Sequence, residues 1–289
     1  MKLHQSIIFS AMTLALTSTL NAAPLLVDSF ETANMSATNA DGFRWANNNR
    51  TSVVTMSPGP TVVYQNGSGF WPEAGGKNWS AYSGQHSLRF RYPAGEYMTE
   101  QRFSLGRHYP DLWVGYWIRV PTNFAHGSQN NKFAAFWTNV YDGAGDITWQ
   151  TRPTGGGSAK LVVQDGGTSQ AEIDAANNFI TVPADRGRWM QVAIHMIPAT
   201  AAGANNGTIQ FYRRWSNESS YTLLYNKTNA RFYEGGQGIH QGYLMGWAND
   251  PYDEETEWLL DSFTVSTESL INAATATSSP PAAPTLQVR

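Results

Sequence analysis

The stretch Leu112–Pro121, LWVGYWIRVP, decides how this chain folds. Read as a strand, it puts Leu112, Val114, Tyr116, Ile118 and Val120 on one face, an ordinary core lining. Trp113, Gly115, Trp117 and Arg119 fall on the other, because successive side chains point to opposite sides. A solvated face normally carries Thr, Ser, Lys or Glu, so two indoles and a guanidinium there call for an explanation.

Similar runs recur along the chain, at Leu25–Phe30, Ser52–Met56, Ser87–Tyr92, Tyr97–Leu105, Lys132–Asn139, Ile147–Arg152 and Lys160–Gln164. They continue at Trp189–Met196, Thr208–Trp215, Gly242–Trp247 and Trp258–Ser266. Between them stand Gly, Asn, Asp and Pro clusters of strong turn chemistry, such as DGAGD from Asp142 and GANNG from Gly203. Only Gln170–Asn178 suggests a short helix. Many strands without α/β alternation predict an all-β, two-sheet antiparallel sandwich.

Composition narrows the function classes. Charged residues are 14% of 289 and the net charge is −3, which gives no basic footprint for nucleic acid. Residues 1–22 read as a signal peptide: Lys2, an apolar run from Ile7 to Leu20, and Asn21-Ala22-Ala23 as a small-residue exit. That run is short and broken by Ser and Thr, so a membrane anchor is not expected, and no later segment could span a bilayer. With no cysteine in an exported chain of this size, a secreted, bacterial, monomeric protein is expected. The β-domain is expected over residues 24–268, followed by an Ala/Thr/Ser/Pro-rich linker or tail at 269–289.

Sorting the strands by face yields the candidate site. Gln191 and His195 lie opposite Met190, Val192, Ile194 and Met196; Tyr212 and Arg214 share a face, as do Gln150 and Arg152, and Glu100 and Arg102. Gathered on one curved sheet, these groups would suit a polysaccharide: rings stack on pyranose C–H faces while amides and guanidinia bind hydroxyls. Trp113, Trp117, Arg119, Arg102, Gln191 and Arg214 are then substrate-binding candidates. Packing of the two indoles under a loop is the structural alternative for Trp113 and Trp117.

The layout resembles the concanavalin A-like jelly rolls. The carriers are LLVDSFE, SGQHSLRFRYPAG, LWVGYWIRVPTNF with NNKFAAFW, GRWMQVAIHM, and LMGWAND with WLLDSFTVS. Within that superfamily the strand pairs are nearest to jelly-roll polysaccharide lyases of the alginate and glucuronan lyase type. The resemblance implies basic catalytic residues at Lys132 and Arg152. The strand that bears tyrosines in those enzymes here reads KLVVQ, with Lys160, Val162 and Gln164. β-Elimination on a uronate needs carboxylate neutralisation plus a base and an acid, which Lys132, Gln150, Arg152 and His195 could supply, with Tyr212 as acid. The resemblance also implies a structural Ca²⁺ between Asp28 in the first strand and Asp261 in the last, with Glu31 as a third ligand.

Two further readings stay open: a non-catalytic, lectin-like carbohydrate-binding module, and a family-16-type glycoside hydrolase. The last needs two carboxylates on one face, for which Glu255 and Glu257 in DEETEW are the nearest match. No zinc-ligand spacing, phosphate-binding loop or Gly-x-Ser-x-Gly elbow is present.

Overall fold

A computed structural model describes residues 23–66, 77–166, 169–172 and 178–271. The expected signal peptide at 1–22 and the part of the expected 269–289 linker or tail from 272 onward lie outside the described residues. The described strands are β1 (Leu26–Asp28), β2 (Arg44–Asn49), β3 (Thr51–Thr55), β4 (Thr61–Asn66), β5 (His86–Tyr92), β6 (Met98–Tyr109), β7 (Leu112–Arg119) and β8 (Asn131–Trp137). They continue as β9 (Asp146–Gly155), β10 (Ser158–Asp165), β11 (Ser169–Glu172), β12 (Trp189–Ile197), β13 (Gly207–Trp215), β14 (Thr222–Ala230), β15 (Ile239–Trp247) and β16 (Thr256–Ser266). No helix occurs among the described residues. The expected helix at 170–178 begins instead inside β11, which pairs with β10; residues 173–177 lie outside the described residues.

All pairings are antiparallel and form two sheets, so the expected jelly-roll sandwich is the fold. The nine-stranded sheet runs β14-β13-β12-β7-β16-β5-β3-β4, with β1 added on β16; the seven-stranded sheet runs β11-β10-β9-β8-β15-β6-β2. Their facing sides make one core. Val114, Tyr116 and Ile118 of β7 and Met190, Val192 and Ile194 of β12 meet Phe133, Trp149, Leu161 and Leu244 from the other sheet. Each is essentially sealed from solvent. Burying side chains of this size stabilises by roughly 1.5–3 kcal/mol apiece. A ring cluster of Phe43, Trp45, Phe103 and Phe263, with centroids 4.8–6.2 Å apart, closes one part of the core.

The alternation read from the opening stretch holds in β7. What matters for function is the consequence: each sheet has its own outer face. Polar residues on β7, β12 and β13 are separated from those on β8, β9 and β15 by the whole core, with sheets about 10 Å apart.

Candidate functional site

The predicted residues divide between the two outer faces. Trp113, Trp117, Arg119, Gln191, His195, Tyr212 and Arg214 belong to the nine-stranded sheet, whereas Arg102, Lys132, Gln150 and Arg152 belong to the seven-stranded sheet. A single groove joining Lys132, Gln150 and Arg152 to His195 and Tyr212 is therefore not formed.

On the nine-stranded sheet the predicted groups are occupied. Trp117 is 4% exposed and lies under Tyr82, the rings parallel at 3.6 Å. Trp113 is 6% exposed and stacks on His195 at 4.2 Å, with Tyr212 beyond it at 5.8 Å. A side chain at Gly115, between the indoles, would run into Leu270 at 2.9 Å. The second face of LWVGYWIRVP is thus a minor packing layer capped by its own chain, and the sugar-platform expectation for Trp113 and Trp117 gives way to the packing alternative.

His195 has both ring nitrogens engaged, Nε2 2.8 Å from Asp111 Oδ1 and Nδ1 2.9 Å from Gln210 Oε1, which leaves neither for a substrate proton. Tyr212 has its phenol raised by burial. Arg119 donates to the carbonyls of Gly187 and Asn78, and Arg214 donates to Gln191 Oε1 at 2.7 Å while lying over Trp117.

Glu255 and Glu257 do share a face, but neither is a solvated loop acid. Glu257 accepts from Lys77 at 3.0 Å, Arg89 at 3.2 Å and the Trp79 indole at 2.8 Å; Glu255 is held by Lys77 and Arg91. Burial pushes the Glu255 carboxyl up, yet the hydrogen bonds from Lys77 and Arg91 outweigh it and leave it below the usual range. A glycosidase acid needs the opposite shift.

The residues of the implied calcium pair each accept hydrogen bonds from the protein. Asp28 faces the core side and accepts from Phe30 N–H and the Trp45 indole, while Asp261, cross-strand from Trp117, accepts from Ser83 N–H and the Ser262 hydroxyl. Glu31 caps Gln85 and His86. Among the described residues no group of three or more His, Cys, Asp or Glu could hold a metal ion.

The outer face of the seven-stranded sheet holds a different assembly. Register places Lys132 beside Gln150, Gln150 beside Val162, and Tyr243 between Ala135 and Arg102. Tyr141, from the turn after β8, packs with Ala135, Trp137 and Tyr243. Lys132 Nζ donates to the Tyr141 oxygen, and the two phenol oxygens are 3.2 Å apart. Burial pushes the Tyr243 phenol well above the usual tyrosine range, with Tyr141, Asp146 and Glu100 adding to the rise. Tyr243 therefore keeps its proton and can donate it, so the Tyr141 oxygen can receive an ammonium and a hydroxyl together.

Arg102 flanks this pair, its guanidinium 5.8 Å from both the Trp137 and Tyr141 rings and its Nε 2.6 Å from Glu100 Oε1. Its side chain is 38% exposed. On the other flank Asn130 links two predicted residues, donating to Gln150 Oε1 at 3.3 Å and accepting from Arg152 Nε at 3.0 Å. They border an open depression of about 440 Å³ that Asn249 completes.

The turn bearing Tyr141 is braced from two sides. Asp146 Oδ2 accepts Asp142 N–H at 2.6 Å, and Glu234 accepts the N–H groups of Asn139 and Val140. Sequence reading missed both Tyr141 and Tyr243. Tyr141 lies within turn residues, and Tyr243 looks like core until register sets it opposite Leu244, on the other face.

No family model and no curated protein matches the chain. Solved structures do. An alginate lyase in complex with an alginate tetrasaccharide is 10% identical, with 64% of this chain and 82% of that one covered at a TM-score of 0.46. An alginate lyase from a Chlorella virus is 9% identical over 63% and 84%, with a TM-score of 0.41. The binding domain of botulinum neurotoxin DC in complex with SialylT is 9% identical over 87% of this chain and 49% of that one, with a TM-score of 0.48. At these identities and TM-scores the likeness says nothing of function, and the two-sheet sandwich rests on the chain's own strand pairing.

Proposed function

We propose that the protein is an exported polysaccharide lyase that acts on an acidic polysaccharide by β-elimination at the outer face of the seven-stranded sheet. The observation that carries this reading is the convergence of Lys132 and Tyr243 on the Tyr141 oxygen, beside Arg102. The C5 proton of a uronate passes to a base, its electron pair forms the C4–C5 double bond, and the C4–O bond breaks as the leaving oxygen takes a proton. Tyr141 is the group that exchanges protons with the sugar. Lys132 and Tyr243 stabilise charge on its oxygen through donors already in position, which is how preorganised sites lower barriers. Arg102 neutralises the uronate carboxylate, while Gln150 and Arg152, on the far side of Lys132, bind the neighbouring part of the chain.

The test is incubation with alginate, glucuronan and heparin, followed by ultraviolet absorbance of the unsaturated product. Wild-type protein raises the absorbance on at least one polymer. Tyr141→Phe and Lys132→Ala lose roughly 10²-fold or more, the scale of general acid–base catalysis. His195→Ala keeps the rate. Undiminished elimination by Tyr141→Phe would refute the assignment.

A further inference from the structure

Tyr97 and Trp247 are 44% and 45% exposed, and their rings stack with centroids 5.0 Å apart and planes 16° apart. Of the other large exposed hydrophobics among the described residues, Tyr82 alone is aromatic, and it lies on Trp117. Backbone pairing fixes where the stack stands. Ala248 bridges Asn131 and is buried in the core, so its sequence neighbours Trp247 and Asn249 face outward. Ala248 N–H also donates to the Tyr97 carbonyl, and Asn249 N–H to the Asn130 carbonyl. The stack therefore lies on the same outer face as Lys132, about one and two strand spacings away, roughly 5 and 10 Å.

We infer that the Tyr97–Trp247 stack is a sugar-binding platform that holds a pyranose ring of the same chain whose uronate sits at Lys132. This rests on the proposed lyase reading for the occupant's chemistry, while the platform's own evidence is independent of any proton transfer. Each ring uses one face on the other, and both stay near half exposed. Flat, strand-anchored rings lose little conformational entropy on binding, which suits them to the C–H face of a sugar. Asn249 and Asn130 supply amides for hydroxyls beside the stack, and Lys132 supplies the cation that an acidic chain requires. The glycan would cross the strands from Arg152, over Lys132, to Trp247.

Affinity electrophoresis of the full chain in gels containing alginate, glucuronan or heparin tests this, with calorimetric titration of oligomers from whichever polymer retards it. Trp247→Ala is expected to weaken polymer binding about tenfold, the scale for losing an aromatic anchor that the ligand covers. Tyr97→Ala should weaken it less, and Trp247→Phe should keep most of it. Oligomers too short to reach from Lys132 to Trp247 should bind both proteins alike. Absence of wild-type retention in all three gels, or full retention by a folded Trp247→Ala, overturns the platform. Retention that depends on Trp247 without any absorbance rise leaves the platform standing and removes the lyase. Elimination with a polymer KM unchanged by Trp247→Ala does the reverse.

Discussion

Replacing Asp146 by Asn tests the electrostatics that hold the Tyr141 turn. Asp146 is 2% exposed; its Oδ2 accepts Asp142 N–H and its Oδ1 the Thr148 hydroxyl. Burial raises its pKa from 3.8 to about 6, against the opposing pull of those hydrogen bonds and of the Lys132 charge. A rise of about 2 in pKa, at 1.36 kcal/mol each, amounts to roughly 3 kcal/mol. The folded carboxyl holds its proton more tightly than the unfolded one. This contribution is therefore fully present below about pH 4 and is lost as pH rises through about 6. Asn keeps an acceptor for Asp142 N–H and never ionises. Urea unfolding of both proteins at pH 4, 5, 6 and 7.5 should give near-equal stabilities at pH 4. At pH 7.5 the variant should lead by about 2–3 kcal/mol, with the gap opening between pH 4 and 6. Measuring a difference makes the parallel titration of Asp261, also raised to about 6 by burial, drop out. A gap that is constant with pH, or a variant that weakens above pH 6, would refute the reasoning.

The remaining predictions separate packing from recognition. Trp117→Ala should cost about 3 kcal/mol, as large-to-small core changes do, and leave glycan retention untouched; thermal unfolding and gel retardation read the two effects. Trp247→Ala should show the converse, little stability change and lost retention. Glu257→Ala removes the carboxylate that Lys77, Arg89 and the Trp79 indole share, with the Arg89 side chain only 6% exposed, and should cost about 3 kcal/mol in urea unfolding; a loss below about 1 kcal/mol would mean the cations find other partners or water instead. At Gly246, φ is +133°, and an added Cβ would stand 3.1 Å from the Tyr243 ring and 3.2 Å from Lys132 Cβ. Gly246→Ala should therefore lower elimination by displacing Lys132, which oligosaccharide kinetics would reveal as a fall in kcat.

Twelve strands are legible in the sequence, and the four that are not share one property. β2, β4, β11 and β14 are the outermost strands of the two sheets. An edge strand packs against one neighbour and is kept polar or irregular, which discourages pairing with other chains, so its pattern is diluted. RWANNN and TLLYNKTNA show this: Asn and Lys stand where an interior strand would alternate. The helix expected from Gln170 is displaced at its start for the same reason, because SQAE pairs with β10 as an edge strand.

The site was harder to read than the fold because parity and layer are different kinds of information. Alternation says which side of its own strand a residue occupies, and at Trp113, Arg152 and His195 that assignment agrees with the structure; at Lys132 it does not, because a register shift before Ala134 puts Lys132 on the side of Trp137 rather than that of Phe136. Alternation does not say which of two sheets the strand joins. β7 and β8 follow one another in the chain and share an aromatic, alternating texture, yet β7 pairs with β12 and β16 while β8 pairs with β9 and β15. Arg119 and Lys132, both outward, consequently point away from each other across the core. A residue such as Tyr243 suffers the same ambiguity in reverse: its neighbours Gly242 and Leu244 make it look interior, and only pairing with Ala135 and Arg102 reveals an outer-face phenol. Sheet membership is set by long-range hydrogen bonds between strands far apart in sequence, so Lys132 and Tyr243 become one group only when β8 and β15 pair.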